Sequence, residues 1–273
     1  MTRGILYLTI HGPAFAERLA VSLYTLRQHY QGPVTILTDA AACPLAARIA
    51  ADVQADIKTI EPFAGSKHAA YVTKTRMPAW SPYDDTLFLD ADTIIAGPLD
   101  DLFGHPVTLT QFSTWISTGR KVSGRILWLK GKSPFVDRLI GTQLAKPHPA
   151  VNTGVMAWQR DKATEWLSLW NRISEANAGT FILDEVVAQC LSHLPGVRIL
   201  SDRYNASPIY SEQGPDVKVW HFHGDKHWRK GQGRALWEPA LRATLAANIG
   251  GIREWFGQHE KTTRGLTAGR FLD

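Results

Sequence analysis

The chain has 273 residues, 44% apolar and 20% charged, which fits one large domain and excludes a disordered or collagen-like polypeptide. Lys and Arg number 30 against 25 acids and stand beside ten tryptophans, a composition that nucleic-acid binders share. The surplus is local, since Lys218 to the C-terminus holds 10 basic and 5 acidic residues and the first 217 residues balance. Cys43 and Cys190 lie far apart, with no CxxC and no histidine at ligand spacing. A zinc cluster or disulfide framework is therefore not expected, and a reducing cytoplasm fits. The apolar run in MTRGILYLTIHG is too short for a signal peptide, and no stretch nears the roughly 20 apolar residues of a membrane span.

Gly4–Ile10 reads as a buried strand, and Phe15, Leu19, Leu23 and Leu26 repeat at helical spacing until Gly32-Pro33. Phe15 is read mainly as part of that core stripe, with stacking on a ligand as its second role. Val34–Leu37 is a second strand, Leu45–Ala51 a helix, Val53–Ile60 a third strand and Ser66–Trp80 a helix with Ser66 as N-cap. Thr86–Leu89 is a fourth strand running into Asp90. Such alternation implies a parallel sheet with helices on both faces, whose ligands bind beyond the carboxyl ends of the strands. Farther on, Val107–Phe112, Val151–Trp158 and Val217–Phe222 read as strands. Pro134–Ala145, Lys162–Asn177, Phe181–Leu194 and Ala240–Ile249 read as helices. No repeat or linker interrupts the chain, so one domain over 1–273 is expected.

Asp90-Ala91-Asp92 is the sharpest local signal. Two carboxylates flanking one small residue at a buried strand end repel each other, and each loses hydration, unless a cation or a proton offsets the charge. Hard oxygen ligands of this kind suit Mn²⁺ or Mg²⁺. The same Asp-x-Asp-x-Thr pattern also resembles the nucleophile motif of haloacid-dehalogenase-type phosphatases. That motif belongs on a first strand, and three strand–helix units precede it here.

The companions of this turn resemble glycosyltransferase family 8, the glycogenin and bacterial galactosyltransferase group. Val72-Thr73-Lys74, FLDADTIIAGPLDDLF (88–103), Val151-Asn152-Thr153-Gly154-Val155, Asp184-Glu185, Tyr204-Asn205 and HFHGDKHW (221–228) occur in the family's order. The resemblance implies an α/β GT-A fold, Rossmann-like with a mostly parallel central sheet. Residues 1–112 would be the nucleotide-sugar half, 113–228 the acceptor half and 229–273 a basic C-terminal segment. It implies a nucleotide-sugar donor, with a UDP-hexose as the default, and Asp90, Asp92 and His221 as ligands of Mn²⁺ or Mg²⁺. Read alone, His221 is an ordinary half-buried histidine. Lys74, Ala91, Asn152, Gly154, Gly224 and Lys226 would meet the donor, Gly224 by backbone approach and Lys226 by charge. Thr9, Ile10 and His11, beyond the first strand, are placed for the nucleobase and ribose. Lys74 read alone is a solvated helix residue.

Glu185 stands where the family has Gln, so it and Asp184 are the candidate catalytic carboxylates. A carboxylate can serve as nucleophile or base, and the stereochemical outcome stays open. The same pair also suits a helix N-terminus. His227 replaces the usual Pro, and the Gly-to-Lys spacing is one residue shorter than in the family. Arg120, Lys121 and Arg125 belong to an acid-free stretch (116–132) on the expected acceptor side. A saccharide or lipid-linked glycan is the first acceptor reading, which allows a peripheral place at the inner membrane surface. Hydroxymethylated DNA, as used by phage-type transferases, is the second.

Overall fold

The computed structural model describes residues 1–10, 15–64, 69–117, 130–131, 134, 137–138, 140–141, 148–178, 184–209, 216–222 and 231–254. Its first part alternates β1 (Arg3–Thr9), α1 (Ala16–Leu26), β2 (Val34–Thr38), α2 (Cys43–Asp52), β3 (Asp56–Thr59), α3 (Ala69–Trp80) and β4 (Asp85–Leu89). Then come β5 (Thr93–Ile95), β6 (Val107–Ser117), β7 (His148–Gln159), α4 (Arg160–Ala176) and α5 (Asp184–Leu191). β8 (Val197–Leu200), β9 (Val219–His221) and α6 (Gly231–Ala247) complete the order. Seven strands form one mostly parallel sheet, β3-β2-β1-β4-β7-β6-β8, and β5 pairs with β9 in a second. β1–β2, β2–β3 and β6–β8 are parallel, whereas β6–β7 is antiparallel.

The residues cluster into two compact units that interleave along the chain. One contains 1–2, 62–88 and 100–205; the other contains 3–61, 89–99 and 206–273. In the second unit, Ile5 and Leu6 of β1 and Leu19, Leu23 and Leu26 of α1 are fully buried. Each such side chain contributes about 1.5–3 kcal/mol by leaving water. The Arg27 guanidinium ties the end of α1 to the neighbouring turns, donating to the carbonyls of Val53 at 2.7 Å, Gly32 at 2.8 Å and Gln54 at 2.8 Å. Phe15 does not join the core stripe. It is 41% exposed just before α1, with the Arg18 guanidinium 4.9 Å from its ring centroid.

The last helix begins nine residues before the expected Ala240 and carries Pro239 inside it. Proline is a strong start signal because its own N–H is missing, yet Trp237, Leu241 and Leu245 form a buried stripe at a spacing of four. Burial of that stripe outweighs the one lost backbone bond. Beyond it, Gly250 adopts φ +66° and donates its N–H to Asp52 Oδ2 at 2.5 Å. A β-carbon there would lie 2.6 Å from Ile49 Cγ1 and 2.8 Å from Ile49 N, so α2 accepts only glycine at this point.

In the first unit, Trp158 and Trp170 are among the largest fully buried side chains. Two indoles of α4 hold the ends of α5: Trp170 Nε1 donates to the Asp184 carbonyl at 3.0 Å, and Trp166 Nε1 to the Leu191 carbonyl at 3.1 Å. Both cysteines are free, and burial pushes the Cys190 thiol up to about 12. No helix among the described residues is long and apolar enough to cross a membrane. Most of the expected helix over Pro134–Ala145, and the Ser66 cap, lie outside the described residues.

Candidate active site

Asp90 follows β4 directly, and Asp92 precedes β5. The antiparallel pairing of β5 with β9 sets Thr93 opposite His221, which brings the histidine to the acidic turn across about 130 residues of sequence. His221 is 2% exposed, so it is not the half-buried histidine its sequence context suggests in isolation. Its Nε2 lies 3.2 Å from Asp92 Oδ1 and 3.5 Å from Asp90 Oδ2. One ligand atom from each of the three residues falls within 4.8 Å of the others. Burial pushes the Asp92 carboxyl up, but the charge and hydrogen bond of His221, with Arg18 behind them, hold it below the usual aspartate range.

A buried chain of hydroxyls supports this turn, and counting its protons gives the chain a direction. Thr93 Oγ1 donates to the Asp90 carbonyl at 2.9 Å, which uses its only proton. Ser22 Oγ, 2.7 Å away, must then donate to Thr93, and Tyr7 Oη must donate to Ser22 at 2.9 Å. Burial pushes the Tyr7 phenol far above its ordinary value, as suits a group that only donates. On the other side, the Phe222 N–H donates to the Asp92 carbonyl at 2.9 Å. Ala91, between the two carboxylates, is buried. Thr9, the last residue of β1, is 2% exposed and its hydroxyl has no partner among the described residues. A hydroxyl left unpaired in such a place costs about 1–3 kcal/mol, and a bound group with a polar atom would remove that cost. Ile10 beside it is buried.

The second cluster lies wholly in the other unit. Lys74 of α3 is 8% exposed, so it is not a solvated helix residue. Its Nζ sits 3.4 Å from Asp184 Oδ2 and 4.8 Å from the centroid of the Phe88 ring. Thr153 Oγ1 donates a short hydrogen bond to the same Asp184 oxygen. Asp184 and Glu185 open α5, where acids complement the helix dipole, as the helix-start reading expects. Asn152 Nδ2 donates to Glu185 Oε2 at 2.9 Å, while Asn152 Oδ1 accepts from the Gly154 N–H at 2.7 Å.

The structure thus groups Asp90, Asp92 and His221 in one place and Lys74, Asn152, Gly154, Asp184 and Glu185 in another. His11, Gly224 and Lys226, and the acceptor-side Arg120, Lys121 and Arg125, lie outside the described residues. Sequence reasoning assigned no role to Thr153, Thr110 or the Tyr7–Ser22–Thr93 chain. The available signal was hydroxyls at inward positions of otherwise apolar strands, as in the VTLT of β6.

No protein-family model and no curated protein sequence matches the chain. Solved structures do. The galactosyltransferase LgtC, in complex with donor and acceptor sugar analogs, is 14% identical with a TM-score of 0.59, over 87% of this chain and 95% of that one. The glycosyltransferase GlyE of Streptococcus pneumoniae TIGR4 is 17% identical with a TM-score of 0.59, over 94% of this chain and 64% of that one. An active-site mutant of LgtC, with glutamine changed to glutamate, is 15% identical with a TM-score of 0.58, over 88% of this chain and 95% of that one. The fold of the chain is the GT-A glycosyltransferase fold.

Proposed function

We propose that the protein is a metal-dependent glycosyltransferase that moves a sugar from a nucleotide-diphosphate sugar, a UDP-hexose by preference, to a hydroxyl of a saccharide or lipid-linked glycan. The observation that carries this reading is the cluster that His221 of β9 forms with Asp90 and Asp92 of the turn after β4 of a GT-A fold. The two carboxylates are hard oxygen donors that suit Mn²⁺ and Mg²⁺, the added imidazole favours Mn²⁺ over Mg²⁺, and a cation relieves the repulsion between the two acids. These three residues would hold it. When bound, such an ion supplies Lewis-acid stabilisation of the negative charge on the departing diphosphate.

The remaining work falls to the chain's own groups. The buried Thr9 hydroxyl, without a partner among the described residues, supports a polar contact to the nucleoside beside β1, with Ile10 and His11 following it in sequence. The exposed Phe15 ring offers a stacking face there. Asp184 neutralises the buried Lys74, which leaves the ammonium oriented for the donor without a bare charge in the interior. Asn152 and Gly154 fix the position of Glu185, and that carboxylate is the group assigned to the reacting sugar carbon. A negative oxygen there stabilises the positive charge that builds up as the glycosidic bond lengthens, or attacks that carbon itself. Gly224 and Lys226 are assigned to the diphosphate, and Arg120, Lys121 and Arg125 to the acceptor side.

The deciding experiment is a panel of nucleotide sugars with Mn²⁺, offered saccharide and hydroxymethylated-DNA acceptors in parallel. Nucleotide release with UDP-hexose and saccharide, abolished by Asp92→Asn, is the expected result. Release only with DNA would replace the acceptor assignment, and no release from any donor would end the transferase reading. NMR of the product's anomeric configuration decides between retention and inversion.

A further inference from the structure

We infer that Asn205 is a positioning residue for the Asn152–Glu185 pair: its NH₂ donates in both directions, to Thr110 and to Asn152, and so fixes which side of the Asn152 amide faces the carboxylate. The inference rests on the assignment of Glu185 to the reacting sugar, but its geometry stands separately. Asn205 is 0% exposed, at the end of a 3₁₀ turn (Asp202–Tyr204). Its Nδ2 lies 2.8 Å from Thr110 Oγ1 and 3.2 Å from Asn152 Oδ1.

Proton counting leaves one arrangement. A backbone carbonyl can only accept, so the Thr110 hydroxyl spends its proton on the Val155 carbonyl at 2.7 Å. Thr110 Oγ1 is then an acceptor toward Asn205, which must present its NH₂ and not its carbonyl. The same NH₂ reaches Asn152, whose oxygen must face it. The Gly154 N–H at 2.7 Å demands an oxygen at that atom independently. With its oxygen so held by two donors, the Asn152 amide has only its NH₂ to offer Glu185 Oε2 at 2.9 Å. The direction set by a β7 backbone carbonyl is carried through two strands and a 3₁₀ turn to the carboxylate. Turning either amide over would oppose acceptor to acceptor or donor to donor in a buried place, where each mismatch carries the full penalty of an unsatisfied group.

The sharpest variant is Asn205→Asp, which keeps the shape and can only accept. Thr110→Val removes the acceptor that orients Asn205, and Thr110→Ser keeps it. Each variant is first matched to wild type by thermal midpoint. Expected for Asn205→Asp is a loss in kcat of about 100-fold, well above any rise in donor KM, because the carboxylate assigned to the reacting carbon is displaced while Asn152 is the one assigned donor contact that Asn205 touches. Thr110→Val should follow in the same direction and Thr110→Ser should restore wild-type kcat. A folded Asn205→Asp enzyme with kcat within about threefold of wild type overturns the inference. So does a change in KM alone.

A second readout needs no turnover, and so separates failure of this inference from failure of the transferase reading. The side-chain NH₂ resonances of Asn152, assigned by their disappearance in Asn152→Ser, should exchange with solvent at least about tenfold faster in Asn205→Asp and at the wild-type rate in Thr110→Ser. Unchanged exchange in Asn205→Asp overturns the inference even if wild type proves active. Altered exchange upholds it even if no donor in the panel is turned over.

Discussion

The acidic turn of Asp90 and the Asn152–Glu185 pair are each supported by a buried chain of polar groups with a fixed direction, but the two chains end differently. In the first, Tyr7, Ser22 and Thr93 pass donors forward to a backbone carbonyl, while the Asp90 and Asp92 side chains face His221. In the second, Thr110, Asn205 and Asn152 hand the direction on to a side-chain carboxylate itself. The first arrangement ends on the backbone of the turn and not on a carboxylate oxygen. The second spends an oxygen of Glu185 on orientation. Under the proposed function, the first solution suits an exchangeable ion and the second a fixed charge.

The comparison breaks most visibly at Asp92. Asp92→Asn should lower Mn²⁺ affinity by about 100-fold or more and abolish turnover, read by calorimetry and by nucleotide release. The same change should leave the hydrogen-bond chain behind the turn intact. Glu185→Gln is the counterpart in the other cluster. It keeps an oxygen for Asn152, so the thermal midpoint should stay near wild type while kcat falls by about 100-fold and Mn²⁺ affinity is unchanged. Metal affinity moving with Glu185→Gln would deny the division of labour.

Smaller effects test the supports. Ser22→Ala interrupts the first chain in its middle and leaves two buried hydroxyls short of a partner, a destabilisation of about 2–3 kcal/mol in denaturant unfolding. Tyr7→Phe removes only the terminal donor and should cost about 1 kcal/mol. Equal losses from the two changes would show that the chain has no direction. The smallest expected effect concerns pH. Because the Asp92 carboxyl is held below its ordinary range, the metal-free fold binds this proton less readily than the unfolded chain does. The stabilisation is fully present above the unfolded aspartate value and is lost as pH falls through the lowered folded value. The stability difference between wild type and Asp92→Asn should therefore close in acid, as followed by metal-free thermal unfolding.

Much of this was legible in the residues. The alternating strands and helices up to Leu89 follow from apolar runs and punctuating Gly and Pro, and β1, β2 and β4 are found within a residue or two of their expected bounds. The Asp-Ala-Asp turn was identifiable from its residue types, whereas the distant His221 was joined to it only through the resemblance of the surrounding motifs, since read alone it is an ordinary histidine. β5 and β8 were not expected, since three or four residues are too few to display a period and their pairing depends on strands far away in sequence. Phe15 was misplaced because helical spacing continues one step past the point where α1 begins to be covered. The roles of Thr110 and Asn205 were hidden for a different reason. A hydrogen-bond direction is a property of a whole chain of contacts, and no local pattern encodes it.

The segment 89–99 belongs to one compact unit while the stretches of sequence on either side of it belong to the other. Asp90 and Asp92 therefore leave the ribosome long before His221, and β5 has no partner strand until β9 emerges. A nascent chain shorter than 221 residues carries a pair of neighbouring acids with nothing opposite them, and β5 exposes unpaired backbone to the cell. The three side chains can therefore meet only once the chain has grown past His221, and a fragment that ends before this residue cannot assemble the cluster.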